Sequence, residues 1–414
     1  MNDPTTLTLF ERSPCGYGCP GCSLCRPQAR LSPETAAALA ATGLVTVTPT
    51  AVPGVFALAT TRKIGAVTVD AFTVRVEPKT PISRLIWMMG FVRDPAWWSQ
   101  HTALADADTD LVSALAEAFA VAAEYATARG LISGYREVED SGPVLRGRLR
   151  AGDQITRRFG LALPVEIRYD EYDEDIGENQ LLLAATLTLL NSAVVPARLQ
   201  ARLARLRRTL VDVTPPTPGA EPSPGRTRLN DRYHWAMQLA ELITSHRSIE
   251  HRIGNVVVRG FVLDMWKVFE DFLMTTTAAA IARRGGRGVR PGSCPTRYLD
   301  HGAVVTIEPD LTWYDAADKP VSVIDAKYKT LSAGWLGPNA DMYQLTAYCT
   351  ALGLREGHLI YAKGDVEPRA IGIIGADVTI YCHALDLALS PADLLTSIDA
   401  LIGGIAGRLD IAAN

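Results

Sequence analysis

The segment at residues 321–329, Val-Ser-Val-Ile-Asp-Ala-Lys-Tyr-Lys, constrains the fold of this chain more than any other segment. Its apolar, β-branched residues predict a buried strand. Successive side chains of a strand point to opposite faces, so Asp325, Lys327 and Lys329 share one face. A buried strand that ends in charges does not suit an ordinary solvated surface. The segment therefore predicts a core strand that carries a polar site.

The residues around this strand alternate between helical and strand patterns. The predicted helices are 228–247, 258–283 and 339–352, and the predicted strands are 303–314, 321–328, 357–363, 369–375 and 378–383. The order helix, two strands, helix, strand is typical of a compact α/β unit. We therefore predict a mixed sheet flanked by helices.

A proline-rich segment divides the chain. Residues 213–225, VTPPTPGAEPSPG, have almost no apolar side chains and predict an extended linker. A chain of 414 residues is also too long for one ordinary domain. We therefore predict a mixed α+β domain over 1–212, a linker over 213–227 and the α/β domain over 228–414. Upstream of the linker, the predicted strands are 44–49, 55–59 and 66–76, and the predicted helices are 81–92, 103–129 and 178–210.

Composition excludes several classes of protein. The net charge of −4 gives no overall sign of nucleic-acid binding, so any contact with DNA must come from local basic patches. No GxxxxGK[ST] motif is present, so the usual phosphate loop of a nucleotide-driven motor is missing. The N-terminus has no secretion signal, and the apolar run 111–128 contains Glu117 and Glu124. We therefore expect a cytoplasmic protein that does not enter the membrane.

Three segments bring chemically useful residues together. Asp310 follows Glu308-Pro309 at the end or bend of a strand, and Asp325-Ala326-Lys327 lies on the next strand. On the following helix, Gln344 and Tyr348 are four residues apart and therefore share one face. Carboxylates, a lysine and an amide meeting at one sheet edge predict a hydrolytic site.

Magnesium fits these residue types. Mg²⁺ prefers oxygen ligands and keeps several waters, so two carboxylates and a backbone carbonyl suffice to bind it. Asp310 and Asp325 can supply the carboxylates, and Ala326 can supply the carbonyl. Such an ion polarises a phosphodiester and lowers the pKa of an attacking water. Lys327 would then orient the water or stabilise the negative charge that develops.

Glu270 is a fourth candidate ligand for Mg²⁺. It lies beside the apolar stripe of a predicted helix with the sequence FVLDMWKVFEDFLM. From that position its carboxylate could reach the metal site on the sheet. The predicted catalytic set is therefore Asp310, Asp325, Lys327, Glu270, Gln344 and Tyr348.

The ordered motifs resemble those of the PD-(D/E)XK nucleases, in which Pro-Asp, Asp-x-Lys and Gln-x-x-x-Tyr follow one another. The wording of the longer segments is similar to that of the McrC family. The downstream segments that carry this resemblance are DMWKVFEDF, PDLTWYD, VIDAKYK, DMYQLTAYC and GHLIYA. The upstream segments are VEPKTP at 76–81, RGR at 146–148 and RYDEYDEDIGENQLL at 168–182.

The resemblance carries several implications. McrC proteins are nuclease subunits of modification-dependent restriction systems, so it implies a DNA endonuclease with a restriction-endonuclease-like fold. It also implies a separately encoded AAA+ GTPase partner of the McrB type, which reads methylated DNA and is stimulated by the N-terminal half of McrC. The missing phosphate loop is consistent with that division of labour.

Four cysteines are crowded near the N-terminus. Cys15, Cys19, Cys22 and Cys25 have the spacing C-x3-C-x2-C-x2-C. Thiolates at such spacing bind Zn²⁺ or an iron–sulfur cluster of the 4Fe–4S type. We expect a structural metal, with zinc slightly favoured. A role in contacting DNA or a partner, and four free thiols in a loop, remain alternatives.

Further charged segments are open to two interpretations. The acidic run Tyr169–Asp175 predicts a solvated loop or, less favourably, a partner-binding patch. The arginines of 202–208 suit a solvated helix face or contacts with DNA phosphates. A glycine-rich region offers a better set for following a phosphate backbone. Its arginines are Arg283, Arg284, Arg287, Arg290 and Arg297.

Two other functions compete with the nuclease subunit of a restriction or antiviral complex. A stand-alone nuclease for DNA processing would cut without any partner. A catalytically silent scaffold would activate a motor through a degenerate nuclease fold. The intact Asp310, Asp325 and Lys327 favour an enzyme over the scaffold.

Overall fold

The structure is a computed structural model. It describes residues 5–11, 27–93, 95–98, 111–159, 161–192, 195–217, 219–245, 248–253, 256–293, 296–331, 339–364 and 369–412. Within these ranges, no helix combines the length and the apolar character needed to cross a membrane.

Helices separate runs of one to five strands along the chain. The strands are β1 (Thr5–Phe10), β2 (Gln28–Arg30), β3 (Val45–Pro49), β4 (Val55–Thr60), β5 (Lys63–Val69), β6 (Phe72–Glu77), β7 (Gly134–Gly142), β8 (Arg148–Leu149), β9 (Val165–Asp173), β10 (Ser248–Ile253), β11 (Val256–Asp264), β12 (Arg287–Val289), β13 (Arg297–Tyr298), β14 (Thr306–Ile307), β15 (Leu311–Tyr314), β16 (Pro320–Leu331), β17 (Glu356–Gly364), β18 (Arg369–Gly372) and β19 (Thr379–Ala384). The helices are α1 (Pro33–Thr42), α2 (Ile82–Arg93), α3 (Pro95–Trp98), α4 (Leu111–Thr127), α5 (Ala151–Arg158), α6 (Gly177–Leu190), α7 (Ala197–Thr209), α8 (His234–Ser245), α9 (Met265–Ala282), α10 (Asn339–Leu352) and α11 (Pro391–Ala412).

The chain forms two compact units. Unit 1 contains Ala66–Thr73 and Asp110–Val262, and unit 2 contains Thr5–Gly65, Val74–Thr109 and Leu263–Asn414. This division does not follow the predicted linker, because residues 213–227 lie inside unit 1. The functional assignment of 1–212 and 228–414 therefore stays a prediction.

Unit 1 combines helices with a small antiparallel sheet. Helix α6 contacts α7 and α8, and α4 contacts the same two helices. The sheet has the strand order β7-β9-β8. Its long pair, β7 and β9, extends from Gly134 opposite Asp173 to Gly142 opposite Val165. This unit therefore has the mixed α+β character that we predicted for the upstream part of the chain.

The proline-rich segment is hydrogen-bonded to residues around the start of α6, within unit 1. Thr214 donates to Asp175 through its backbone N–H at 2.8 Å and through its hydroxyl at 2.7 Å. Asn230 links the segment to α6, because its amide donates to the carbonyl of Gly225 and to the carboxylate of Glu178, each at 2.9 Å. The described residues of the proline-rich segment form neither helix nor strand, as the composition predicts. The segment is therefore held by hydrogen bonds near the start of α6.

Unit 2 contains a six-stranded sheet with the order β12-β15-β16-β17-β19-β18. Strand β16 pairs antiparallel with β15 and parallel with β17, so the sheet is mixed. Helix α10 connects β16 to β17 and packs on one face of the sheet through Leu345 and Cys349. Helix α9 contacts β12, β15 and β16, and α11 packs on α9. The predicted α/β class and the helix-flanked mixed sheet are confirmed.

Several predicted elements have different bounds. Residues 258–264 belong to strand β11, and the helix begins at Met265 because the Asp264 side chain caps it by accepting from the Trp266 N–H. The predicted helix 178–210 is two helices, and the second follows Pro196. The acidic run Tyr169–Asp175, which we expected to be a loop, forms strand β9 as far as Asp173.

Candidate active site

Two acidic residues meet where β15 and β16 pair. Asp310 immediately precedes β15, and Leu311 of that strand lies opposite Ile324 of β16. Oδ2 of Asp310 accepts a hydrogen bond from the backbone N–H of Ala326 at 2.8 Å. The carboxylate of Asp310 is thus fixed to the residue that follows Asp325. The structure therefore brings together the carboxylates of Asp310 and Asp325 and the backbone of Ala326.

Burial makes this pair of acids costly. The Asp325 residue is 2% exposed. Burial raises the pKa of Asp310, and repulsion from Asp325 and Glu270 raises it further. Burial likewise raises the pKa of Asp325, although the Lys327 ammonium opposes this effect. Two poorly solvated carboxylates of this kind favour the binding of a proton or a cation.

Lys327 connects the acids to helix α10. Its Nζ lies 2.5 Å from Oδ2 of Asp325 and donates to Oε1 of Gln344 at 3.0 Å. The amide of Gln344 in turn donates to the hydroxyl of Tyr348 at 2.9 Å. Burial lowers the pKa of Lys327, but the nearby carboxylates, with Asp325 first among them, outweigh burial and the pKa is raised. Lys327 is therefore a fixed positive charge, and α10 supplies the groups that orient it.

Glu270 approaches the site from α9. It is 8% exposed, and its Oε1 lies 3.2 Å from Nζ of Lys267. Its Oε2 is buried and has no hydrogen-bond partner among the residues that the structure describes. Glu270 also contributes to the raised pKa of Asp310, so the two carboxylates are within electrostatic range. A buried carboxylate oxygen without a hydrogen-bond partner is a candidate ligand for a cation.

The carboxylates do not form a closed metal-binding cluster. Within the described parts of the chain, no group of three or more histidine, cysteine, aspartate or glutamate side chains is arranged to hold a metal ion. Asp310 and Asp325 are in place with the peptide of Ala326, whereas Glu270 does not complete a third carboxylate ligand. The donor set therefore fits the predicted two carboxylates and one carbonyl better than it fits a set that includes Glu270.

The other face of β16 holds α9 against the sheet. The ring of Tyr328 packs on Phe269 with a centroid separation of 5.9 Å. Its hydroxyl donates to Oε2 of Glu11 at 3.1 Å, and Nζ of Lys79 lies 3.7 Å from the ring centre. Phe269 immediately precedes Glu270 in α9. Tyr328 therefore helps to fix the helix that carries Glu270.

A second lysine pair was not recognised as part of the site from the sequence. Nζ of Lys329 donates to both carboxylate oxygens of Asp341 at 2.9 Å. Asp341 lies in the first turn of α10 and is 6% exposed. The alternation of side chains along the strand places Lys329 on the same face as Lys327, so the sequence indicates that Lys329 lies near the site. The sequence does not indicate its partner, because Asp341 lies on another element.

Five of the arginines considered for DNA contact pair with nearby acids. Arg283 donates to Asp399 at 2.6 Å, and Arg284 donates to the same carboxylate at 2.8 Å. Arg287 pairs with Asp318, and Arg290 pairs with Asp271. In α7, Arg202 pairs with Glu124 at 2.6 Å. These cations are therefore compensated within the chain, which weakens their case as a phosphate-binding patch.

The cysteine cluster at Cys15, Cys19, Cys22 and Cys25 lies outside the described residues. Two cysteines that the structure does describe, Cys349 and Cys382, are free and buried. They pack with Leu359 in the apolar core beneath α10. Their role is therefore one of packing.

Comparisons with known proteins identify the family of the chain. A family model described as the McrBC 5-methylcytosine restriction system component matches residues 58–362. A chain of the refined half-complex from the tetradecameric assembly of Thermococcus gammatolerans McrB AAA+ hexamers with bound McrC is also similar. It is 17% identical, with a TM-score of 0.58 and coverage of 97% of this chain and 100% of that one.

A chain of the Thermococcus gammatolerans McrBC complex, solved by cryo-electron microscopy, is 18% identical, with a TM-score of 0.37 and coverage of 67% of this chain and 88% of that one. No curated protein matches the chain. The first structural likeness concerns the fold, whereas the family match spans well over half of the sequence. The chain therefore belongs to the McrBC family of 5-methylcytosine restriction system components.

Proposed function

We propose that this chain is the magnesium-dependent DNA endonuclease subunit of an McrBC-like restriction or anti-phage complex. The observation that carries the proposal is the convergence on β16 of Asp310, Asp325 and Lys327, with Gln344 holding the lysine. Family membership supports it, because components of this family belong to a 5-methylcytosine restriction system. The chain would hydrolyse phosphodiesters and activate an AAA+ GTPase partner.

The residues present fit a hard divalent cation. Asp310, Asp325 and the carbonyl of Ala326 would hold Mg²⁺, and the buried Glu270 would add negative charge near the ion from α9. A bound Mg²⁺ supplies Lewis acidity toward a phosphate oxygen and lowers the pKa of a coordinated water. The raised pKa values of both aspartates support this fit, because a cation relieves the same repulsion that a proton relieves.

Lys327 has the central role among the side chains that do not bind the ion. Its ammonium is held between Asp325 and Gln344, so it is oriented before substrate arrives. In that position it would orient the attacking water and stabilise negative charge on the phosphorane. Tyr348 accepts from Gln344 and so fixes the amide whose oxygen holds the lysine. Gln344 and Tyr348 thus act by positioning Lys327.

A nucleotide-driven partner is the second part of the proposal. The similar solved chain comes from an assembly of McrB AAA+ hexamers with bound McrC. Unit 1 exposes a run of large apolar side chains, among them Phe159 at 90% and Ile155 at 68% exposure. Exposed apolar side chains at this density mark protein-binding surfaces. We therefore place the contact with an AAA+ GTPase on residues 144–163 of unit 1.

The cysteine cluster belongs to the proposal as a structural metal site. Four thiolates in eleven residues would bind Zn²⁺, or alternatively a 4Fe–4S cluster, and would staple the N-terminal segment. Metal analysis of purified protein distinguishes the two metals, with Cys22→Ser as the matched variant. Stoichiometric metal that is lost in the variant supports the site. An equal metal content in both proteins contradicts it.

The decisive experiment is cleavage of methylated and unmethylated plasmid with Mg²⁺, with and without an AAA+ GTPase partner and GTP. Lys327→Ala is the test variant, and Lys319→Ala is the matched control because Lys319 is an exposed residue that precedes β16. Cleavage only in the full mixture, lost in Lys327→Ala and kept in Lys319→Ala, supports the proposal.

Two other outcomes identify the alternatives. Cleavage without the GTPase would indicate a stand-alone nuclease. Stimulation of GTP hydrolysis without any cleavage would indicate a silent scaffold. Phe159→Ser tests the partner surface in the same assay: it should weaken GTPase stimulation and leave the affinity for Mg²⁺ unchanged.

A further inference from the structure

The ion pair between Lys329 and Asp341 lies beside the proposed metal site and has no part in the proposed mechanism. Both carboxylate oxygens of Asp341 accept from Nζ of Lys329 at 2.9 Å. The side chain of Asp341 is 8% exposed and that of Lys329 is 31% exposed. The hydroxyl of Tyr361 lies 3.5 Å from Oδ2 of the same carboxylate. Asp341 is therefore a fixed, buried acceptor for a partly exposed lysine.

This pair resembles the contact that orients Lys327. Lys327 and Lys329 share a face of β16, and each is held by a residue of α10, namely Gln344 and Asp341. The two contacts differ in charge, because Gln344 is neutral and Asp341 is an acid. Lys327 therefore keeps its positive charge for Asp325, whereas the charge of Lys329 is neutralised.

The charges of the pair reach the carboxylates that would bind a cation. Asp341 and Lys329 both act on Asp325 and in opposite directions, since Asp341 raises its pKa and Lys329 lowers it. The two effects therefore oppose each other at Asp325. An uncompensated Lys329 ammonium would repel any divalent cation bound to Asp310 and Asp325, because charges interact strongly where water is largely excluded.

We propose that Asp341 is a positioning residue for the cation site, which it controls through Lys329. It holds the lysine as a neutral pair, so that one ammonium, that of Lys327, acts on the metal-binding carboxylates. The inference rests on the proposed function, because it concerns the affinity of the proposed Mg²⁺ site. It adds a requirement that the hydrolytic mechanism does not contain, namely a charge balance set by the first turn of α10.

A double-mutant cycle tests the proposal through the sign of each effect. Binding of Mg²⁺ and Mn²⁺ to the full chain, without DNA, is measured by calorimetry. Asp341→Asn frees a positive charge and should weaken binding by about tenfold. Lys329→Met frees a negative charge and should strengthen binding by about threefold. The double variant restores the balance and should bind within about twofold of the original chain.

Opposite signs separate charge balance from a merely structural role. If the pair only fixed α10 on the sheet, all three variants would bind the cation more weakly. That result, or an unchanged affinity in Asp341→Asn, would overturn the inference. Thermal unfolding of each variant checks that it is folded, and Lys319→Met is the matched control for loss of a lysine in an exposed position.

Failure of the proposed function gives a different result. Asp325→Asn is measured beside the cycle, because it removes a proposed ligand directly. If the original chain binds neither cation more tightly than Asp325→Asn does, the proposed metal site is wrong and the inference falls with it. If only Asp325→Asn loses binding and the cycle variants are unaffected, the metal site stands and the role of Asp341 is refuted.

Discussion

Strands β9 of unit 1 and β16 of unit 2 are both rich in charge, yet they treat it in opposite ways. Across the β7–β9 pair, Arg168 lies 2.6 Å from Glu139 and Arg136 lies 2.9 Å from Asp173, and all four side chains are at least 31% exposed. On β16, Asp325 is buried beside Asp310, and one lysine serves both acids.

The difference teaches how to tell a site from a surface. Exposed pairs such as those of β9 are solvated whether or not they form, so they contribute little to stability. Buried acids of like charge cost free energy and persist only where something else favours them. Incomplete compensation of buried charge, and not charge alone, therefore supports the proposal that β16 carries the active site.

The largest expected effect comes from removing one of the crowded acids. Asp310→Asn keeps an acceptor for the Ala326 N–H but removes the repulsion with Asp325. Cleavage should fall by about a thousandfold. The midpoint of thermal unfolding without Mg²⁺ should rise by about 2–4 °C. Plasmid cleavage and calorimetric melting measure the two effects.

The control for this prediction is Asp377→Asn, because Asp377 pairs with Arg355 on the exposed surface. It should change neither quantity. A lower melting temperature for Asp310→Asn would mean that Asp310 stabilises the sheet. The contrast between the two strands would then lose its basis.

Glu166, a buried acid of unit 1, should show the opposite effect: removal of its charge should lower the stability of the fold. Glu166 is 3% exposed, and Nε of Arg158 donates to it at 2.8 Å. Glu166→Gln should lower the free energy of unfolding by about 2 kcal/mol, because a buried charged partner is lost. Binding of Mg²⁺ should not change. Urea unfolding and calorimetry test these statements, with the exposed Glu174→Gln as control.

A perturbed pKa alone does not identify an active site. Two buried histidines outside the proposed site also have perturbed pKa values. Nδ1 of His358 lies 3.1 Å from Nε2 of His383, and burial lowers the pKa of His383 to about 3. The unfolded chain therefore takes up a proton below about pH 6.5 that the folded chain refuses, so stability should fall as the pH drops from there toward 3.

His383→Gln tests this dependence, since an amide can still bond to His358 but does not titrate. Its loss of stability between pH 7 and pH 4 should be shallower than that of the original chain. Urea unfolding across this range gives the slope. Equal slopes would show that other groups dominate the acid response.

The smallest effect is expected from breaking an exposed ion pair of β9. Arg168→Gln breaks the contacts with Glu139 and Glu137. The midpoint of thermal unfolding should stay within experimental error, because exposed ion pairs are solvated in either state. A loss of several degrees would show that the arginine–glutamate ladder of β9 is structural, and the two strands would differ less than we infer.

The sequence predicts unit 2 well because its signals are local. The helix predicted at 339–352 has those bounds, and the strand predicted at 321–328 lies within Pro320–Leu331. Short-range periodicity suffices where one element buries one face. The confirmed mixed sheet follows from these elements.

The errors arise where a distant partner decides the structure. The run Tyr169–Asp175 is polar and predicts a loop, but Tyr172 lies opposite Tyr135, and that pairing makes it a strand. Likewise Asp341 is recognisable only as a helix-start residue until Lys329 is placed beside it. Contacts between residues far apart in sequence leave no mark in local patterns.

The position of β16 between β15 and β17 has a consequence for synthesis of the protein. Strand β17 begins at Glu356, beyond α10, so β16 gains its parallel neighbour only after that residue has left the ribosome. Until then the sheet lacks one of the strands on which α10, the helix that carries Gln344, packs. We therefore expect a chain truncated before Glu356 to lack the proposed active site, because domains generally fold as units once complete.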